Sequence, residues 1–207
     1  DEAGVPYPTP DWTWDDFLAI AQKLTKRDQY GRPVQFGFLG PYDPNEYHLF
    51  WHQWKAPMYN EAGTRCMLDQ PQAGEAVQFM QDIIYKYRVM PGLADEFSMA
   101  ASGGWGAGGL TLFAGEKGAM AIGGRWWLLL LRNQDYSHLR LGVTGIPKGP
   151  LPRLVGNGKA TLINKRSKHI DGALEFLAFF HSREYNELIN RQADGLGPIT
   201  KYCDTDA

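Results

Sequence analysis

The chain has 207 residues, with 21 Lys and Arg against 23 Asp and Glu and a formal charge of −2 at neutral pH. That length makes one large domain or two small ones and can bury a core without disulfide or metal staples. The near-neutral balance, with no cationic run longer than a pair, excludes a nucleic-acid surface and a dedicated membrane-surface binder, both of which need clustered positive charge.

After a proline-punctuated loop over 5–10, Thr13 stands before Trp14, Asp15 and Asp16, and Phe17, Leu18, Ala21 and Leu24 recur at three- and four-residue intervals. This predicts an N-capped helix to about residue 26, with acids at its positive end. Tyr30-Gly31-Arg32-Pro33 breaks the chain, and residues 34–39 alternate as a short strand does. A loop over 40–45 leads into an aromatic segment of helical length, 47–54. Asn60-Glu61-Ala62-Gly63 reads as a turn, and Asp69-Gln70-Pro71 opens the clearest helix, to about residue 89. Ala73, Ala76, Val77, Met80, Ile83, Ile84 and Tyr87 fall on one face of it. A short helix includes 110–114, and strands are expected over 119–122, 139–146 and 160–163. Further helices are predicted over 170–180, with Ala173, Leu174, Leu177 and Phe180 inward, and over 183–193. Helices alternating with short strands give an α/β or α+β domain with a layered core.

Several motifs resolve against catalysis or metal binding. Cys66 and Cys203 stand in no C-x-x-C spacing, which leaves their redox state open. His48 and His52 would share a helix face, but no Glu follows His48 and no third ligand is nearby, so no metal is expected. Gly104-Trp105-Gly106-Ala107-Gly108-Gly109 matches G-x-G-x-x-G. No strand pattern precedes it and no acid lies about 20 residues on, so it reads as a loop carrying Trp105, with no cofactor. A carbohydrate-active hydrolase would use Asp43 and Glu46 as its acid and base, which requires roughly 5–9.5 Å between them and one raised pKa. That is the alternative reading. There is no G-x-S-x-G, and the most apolar window, 126–131, falls far short of the ~18 residues of a spanning helix.

Seven Trp, ten Tyr and ten Phe are more aromatic surface than a near-neutral core requires, so some should line a cavity. Gly123-Gly124-Arg125-Trp126-Trp127 follows a predicted strand, which puts these side chains at a sheet rim, where α/β folds bind ligands. An indole there matches the apolar face of a pyranose, whose hydroxyls seek partners such as Arg, Asp and Asn. Trp127, followed by four leucines, is expected to cap the core.

Three stretches together resemble a known family. They are Asp1-Glu2-Ala3-Gly4-Val5-Pro6 with Thr13-Trp14-Asp15-Asp16-Phe17, then Phe113-Ala114-Gly115-Glu116-Lys117-Gly118-Ala119-Met120 leading to Gly124-Arg125-Trp126, then Ala173-Leu174-Glu175-Phe176-Leu177. In order and separation they resemble the extracellular solute-binding proteins of ABC importers, of the maltose-binding-protein type. The resemblance implies an α/β lobe like those of type II periplasmic binding proteins, with helices around a short mixed sheet. It also implies a two-lobed receptor that closes on a mono- or oligosaccharide and delivers it to ABC permease subunits, without catalysis. Such a receptor is periplasmic, or extracellular and lipid-anchored. By motif match Trp126 takes the place of the stacking tryptophan. Arg125, Asp43 and Asn45 would hydrogen-bond hydroxyls, and Tyr42, Trp51 and Trp105 would form the wall. Lys55-Ala56 stands where the family commonly has Gly-Gly, a departure in the path of that loop.

Members of the family are about double this length, and the chain opens without methionine, so a mature or excised piece is expected. The resemblance assigns 1–150 to a C-terminal lobe, 151–200 to a segment that returns to the N-terminal lobe in the family, and 201–207 to a tail. Without that lobe, the Leu174, Leu177 and Phe180 face should pack back on its own lobe or against a second copy in a homodimer. Half a cleft should bind sugar weakly, because closure of both lobes completes the site.

Overall fold

Thr13 starts the first helix, α1 (Trp14–Leu24), with reciprocal bonds: its hydroxyl accepts from Asp16 N at 3.2 Å, and the Asp16 carboxylate accepts from Thr13 N at 2.9 Å. Two otherwise orphaned donors are satisfied at once, which fixes the start of the helix. Trp14, Phe17 and Ala21 form its buried stripe. The helix stops short of residue 26 because Thr25 turns extended, its hydroxyl donating to Ala21 O at 2.8 Å and accepting from Gly37 N at 3.0 Å. The computed structural model describes residues 1–40, 44–92, 94–95, 107–132, 136–154, 156, 160–192, 195, 197 and 199–202, with side chains for all of these except 44–46, 107 and 200. They divide into two compact units, Asp1–Ile122 with Arg140–Val155 and Gly123–Leu139 with Gly156–Ala207.

In the first unit, β1 (Lys26–Arg27), β2 (Pro33–Leu39) and β3 (Gly118–Ala121) form a sheet in the order β1-β2-β3. The first pair is antiparallel, and the second is parallel with Phe36 opposite Gly118 and Phe38 opposite Met120. This is the short mixed sheet expected. Gly37 sets how closely α1 lies on it, since a Cβ there would sit 2.0 Å from Ala21 O. Strand β1, which the sequence reading lacks, is only two residues long and exists because Thr25 ties the end of α1 to β2.

Helices α2 (Pro44–Gln53) and α3 (Pro71–Gln81) complete the main core. Its centre is Trp14, with ring centroids 5.0 Å from Phe17, 5.1 Å from Phe50 and 5.4 Å from Phe79, distances at which aromatic edges and faces attract. Ala73, Ala76 and Ile83 are buried as their spacing predicts, but Val77 is exposed and Phe79 packs on the core in its place. The reason is that the helix does not continue regularly to 89. Asp82–Lys86 is a π-helical turn in which Tyr87 N donates to Asp82 O at 2.8 Å. Arg88 then takes a left-handed φ of 52°. The reversal buries Val89, whose carbonyl accepts from Phe38 N at 3.0 Å. Helix α4 (Ala107–Ala114) contributes Leu112 to a smaller cluster with Phe36 and Leu39.

Two predicted strands are not strands. Residues 139–146 have no regular structure. The segment is held where the Trp12 indole N–H donates to Gly145 O at 2.7 Å and Lys148 N donates to Trp12 O at 2.8 Å, while Val143 projects into solvent. Residues 160–163 are likewise irregular, with Leu162 exposed. Alternation alone does not make a strand where no neighbouring edge supplies its hydrogen bonds.

The second unit holds α5 (Leu128–Leu131), α6 (Ile170–Phe179) and α7 (Arg183–Gln192). Leu174, expected inward on α6, is exposed, while Ala173, Leu177 and Phe180 are half-buried. The order in this unit comes from α7. Buried Asn186 donates to Phe180 O and Ser182 O and accepts from Ile199 N at 3.1 Å, and Asn190 donates to Tyr202 O at 2.8 Å. Two amides therefore tie the turn before α7 and the chain after it to the same helix.

Candidate ligand-binding site

A 3-10 turn, Arg125–Trp127, carries the tryptophan pair, with Trp127 N donating to Gly124 O at 3.0 Å. The glycine doublet before it has a steric purpose. A Cβ on Gly124 would sit 2.6 Å from Cδ1 and Nε1 of Trp126, and one on Gly123 would sit 2.5 Å from Cδ2 of Trp127. Each indole therefore lies back over glycine backbone. The two ring centroids are 6.1 Å apart with planes at 74°, an edge-to-face contact. Trp127 is half-buried, whereas Trp126 is 38% exposed. What results is an indole with its backing fixed and surface open to solvent.

Arg125 opens the same turn. Its guanidinium donates to the carbonyls of Asn190, at 3.0 Å, and of Gly195. Asn190 lies in the last turn of α7.

Of the remaining predicted contacts, Tyr42, Asp43 and Trp105 lie outside the described residues. Asn45 and Glu46 lie in the first turn of α2, their side chains outside the described set. Trp51, in the first unit, packs on the main core and lines an open groove of about 310 Å³ with Leu68, Val77, Gln78 and Gln81. His48 lies beside it, its ring centroid 5.4 Å from Trp51 and 6.4 Å from His52. Burial, then repulsion from His48 and Arg153, hold His52 below its ordinary pKa. Among the described residues no three His, Cys, Asp or Glu side chains are grouped to hold a metal ion. Nor is any helix among them long and apolar enough to cross a membrane.

The comparison with known proteins settles the family. A family model of bacterial extracellular solute-binding proteins matches residues 1–207. The chain belongs to that family. The chain is similar to an ABC substrate-binding protein from Listeria monocytogenes in complex with cycloalternan, at 26% identity and a TM-score of 0.76, over 99% of this chain and 50% of that one. It shares its fold with an ABC transporter solute-binding protein from Thermotoga lettingae bound with alpha-D-tagatose (22%, TM-score 0.78, over 98% and 50%). It shares it also with the maltose/maltodextrin-binding domain of Bdellovibrio bacteriovorus bound to maltotriose (19%, TM-score 0.72, over 100% and 52%). The chain thus spans about half the length of these structures. No curated protein sequence matches it significantly. The hydrolase alternative through Asp43 and Glu46 is not supported, since the family and these neighbours are binding proteins.

The Gly123-Gly124 doublet is the local signal for the seat of Trp126. Nothing local signals that Arg125 reaches carbonyls some 65 positions on.

Proposed function

We propose that this solute-binding chain supplies one wall of the sugar site of an ABC-importer receptor, with Trp126 stacking on a pyranose ring. The observation that carries the reading is the Trp126 indole, seated on glycine and open to solvent. It is supported by a family match over residues 1–207 and by similar structures that hold sugars. Covering what remains exposed of an indole is worth about 2 kcal/mol at ~25 cal/mol per Å². Alone, that sustains binding only at roughly tens of millimolar. Further contacts, which we assign to Tyr42, Asp43, Asn45 and Trp105, and closure of a second lobe must supply the rest. In this reading 1–150 is the sugar-facing lobe, 151–200 joins the other lobe, and that lobe covers the exposed Leu174 and Phe176. The receptor works outside the cytoplasmic membrane, free or lipid-anchored, and delivers its ligand to permease subunits.

Saturation-transfer NMR of the 207-residue chain with millimolar maltotriose tests this. Transfer to sugar ring protons is expected, reduced by Trp126→Phe and reduced further, to a weak residual signal, by Trp126→Ala with the fold intact. Unchanged transfer in Trp126→Ala removes Trp126 from the site.

A further inference from the structure

The open indole needs a fixed direction, and the turn that carries it is short. Arg125 precedes Trp126 in a three-residue 3-10 turn, and α5, which follows, is a single four-residue helix with no fully buried side chain. Such a segment has little packing of its own to hold it. The restraint comes from the guanidinium, which donates to the carbonyls of Asn190 and Gly195. The first belongs to the last turn of α7 and the second to the chain just beyond it, where the negative end of the helix dipole favours a cation. Arg125 is thus a C-terminal cap donated to α7 from a distant part of the chain. Its fork suits the task, since two N–H groups diverge at a fixed angle toward two acceptors. On the other side, Gly124 lies under the Trp126 ring, so the tryptophan is set between a glycine seat and an arginine tether.

We propose that Arg125 is a positioning residue, not a sugar contact: by capping α7 it fixes the turn that aims Trp126, and so couples α7 and the chain after it to the ligand face. The link to sugar rests on the reading above, whereas the tether does not.

The experiment uses the full chain labelled with 5-fluorotryptophan, its Trp126 line assigned by Trp126→Phe. Arg125→Ala is expected to shift or broaden the Trp126 line more than any other, leaving the lines of Trp12 and Trp14 in place. Arg125→Lys keeps the charge, reaches one carbonyl instead of two, and should restore the line part-way. It also carries the test if Arg125→Ala fails to fold. A Trp126 line unmoved in whichever variants fold overturns the proposal. With maltotriose as probe, Arg125→Ala should weaken binding about tenfold, the worth of one charged hydrogen bond, and should cost nothing further in a Trp126→Ala background. Additive losses mean that Arg125 touches the sugar, and overturn it. If Trp126→Ala leaves maltotriose binding unchanged while Arg125→Ala still moves the Trp126 line, the tether stands and the sugar reading fails.

Discussion

Replacing Gln53 with Leu removes the most connected polar group in the main core. Gln53 is 1% exposed. Its carbonyl oxygen accepts the Trp14 indole N–H at 2.7 Å, and its amide donates to Arg153 O at 2.9 Å. Its main-chain carbonyl accepts from Leu151 N at 2.8 Å, a bond that the substitution leaves in place. Leu fills nearly the same volume but strands the other two partners. A buried donor left unpaired costs about 1–3 kcal/mol, and the Trp14 N–H has no water to turn to, because Trp14 is only 4% exposed. Arg153 O is part-buried and can be rehydrated at lower cost, while the added apolar surface of Leu returns a fraction. The net expectation is a loss of about 2–3 kcal/mol. Urea unfolding followed by tryptophan fluorescence is the assay, since Trp12, Trp14, Trp51 and Trp54 all lie in the first unit. With a slope of about 2 kcal/mol per molar, the midpoint should fall by roughly 1–1.5 M. Gly149→Ala should act on the same contact, because a Cβ there would come 2.7 Å from Gln53 Oε1. A midpoint within about 0.25 M of the parent would show that the amide does not hold residues 149–153 against Trp14.

Gly37→Ala should cost about 3 kcal/mol or more, since its Cβ meets backbone that cannot yield. Gly74→Ala on the open face of α3 should gain about 0.5–1 kcal/mol, and thermal melts of the pair check both signs. Thr13→Ala should lose about 1 kcal/mol with the cap. Hydrogen bonds from Thr13, first from its backbone and then from its side chain, hold the Asp16 carboxyl below the ordinary 3.8. The stability they confer is present above 3.8 and lost as pH falls through the lowered native value. Asp16→Asn should remove that acid-limb dependence in a melting-temperature profile. His52, held below 6.5 by burial and then by repulsion from His48 and Arg153, is protonated first in the unfolded chain. Stability should be full above 6.5 and decline as pH falls toward its lowered native value, and His52→Gln should flatten the slope. A urea midpoint that rises on acidification through that range in the parent would contradict the assignment.

The elements legible in the sequence are those whose signals are local. Thr13 and Asp16 announce the start of α1, Pro71 that of α3, and the spacing of Ala73, Ala76 and Ile83 its inner face. What escaped depends on contacts far apart in the chain. The π turn at 82–86 and left-handed Arg88 exist so that Val89 can reach β2, and no pattern within α3 encodes that. Residues 139–146 alternate as a strand should, yet the segment is held by the Trp12 indole at Gly145 and, two residues beyond it, by the bond from Lys148 N to Trp12 O. Leu174 reads as inward by period, but α6 offers apolar side chains nearly all round, with Phe176 and Phe179 exposed as well. In the turn before α5, the glycine doublet that seats Trp126 stands in the local sequence. The acceptors of Arg125 do not, because a guanidinium suits a hydroxyl and a main-chain carbonyl equally well until the acceptors are seen.

Titrating maltotriose into the fluorotryptophan-labelled chain and following each ring separately tests the central claim most directly. The line of Trp126 should move progressively with sugar in the millimolar range while those of Trp12 and Trp14, sealed in the aromatic core, stay still. A Trp126 line that never moves while sugar binding is observed by saturation transfer would place the ligand elsewhere on the chain.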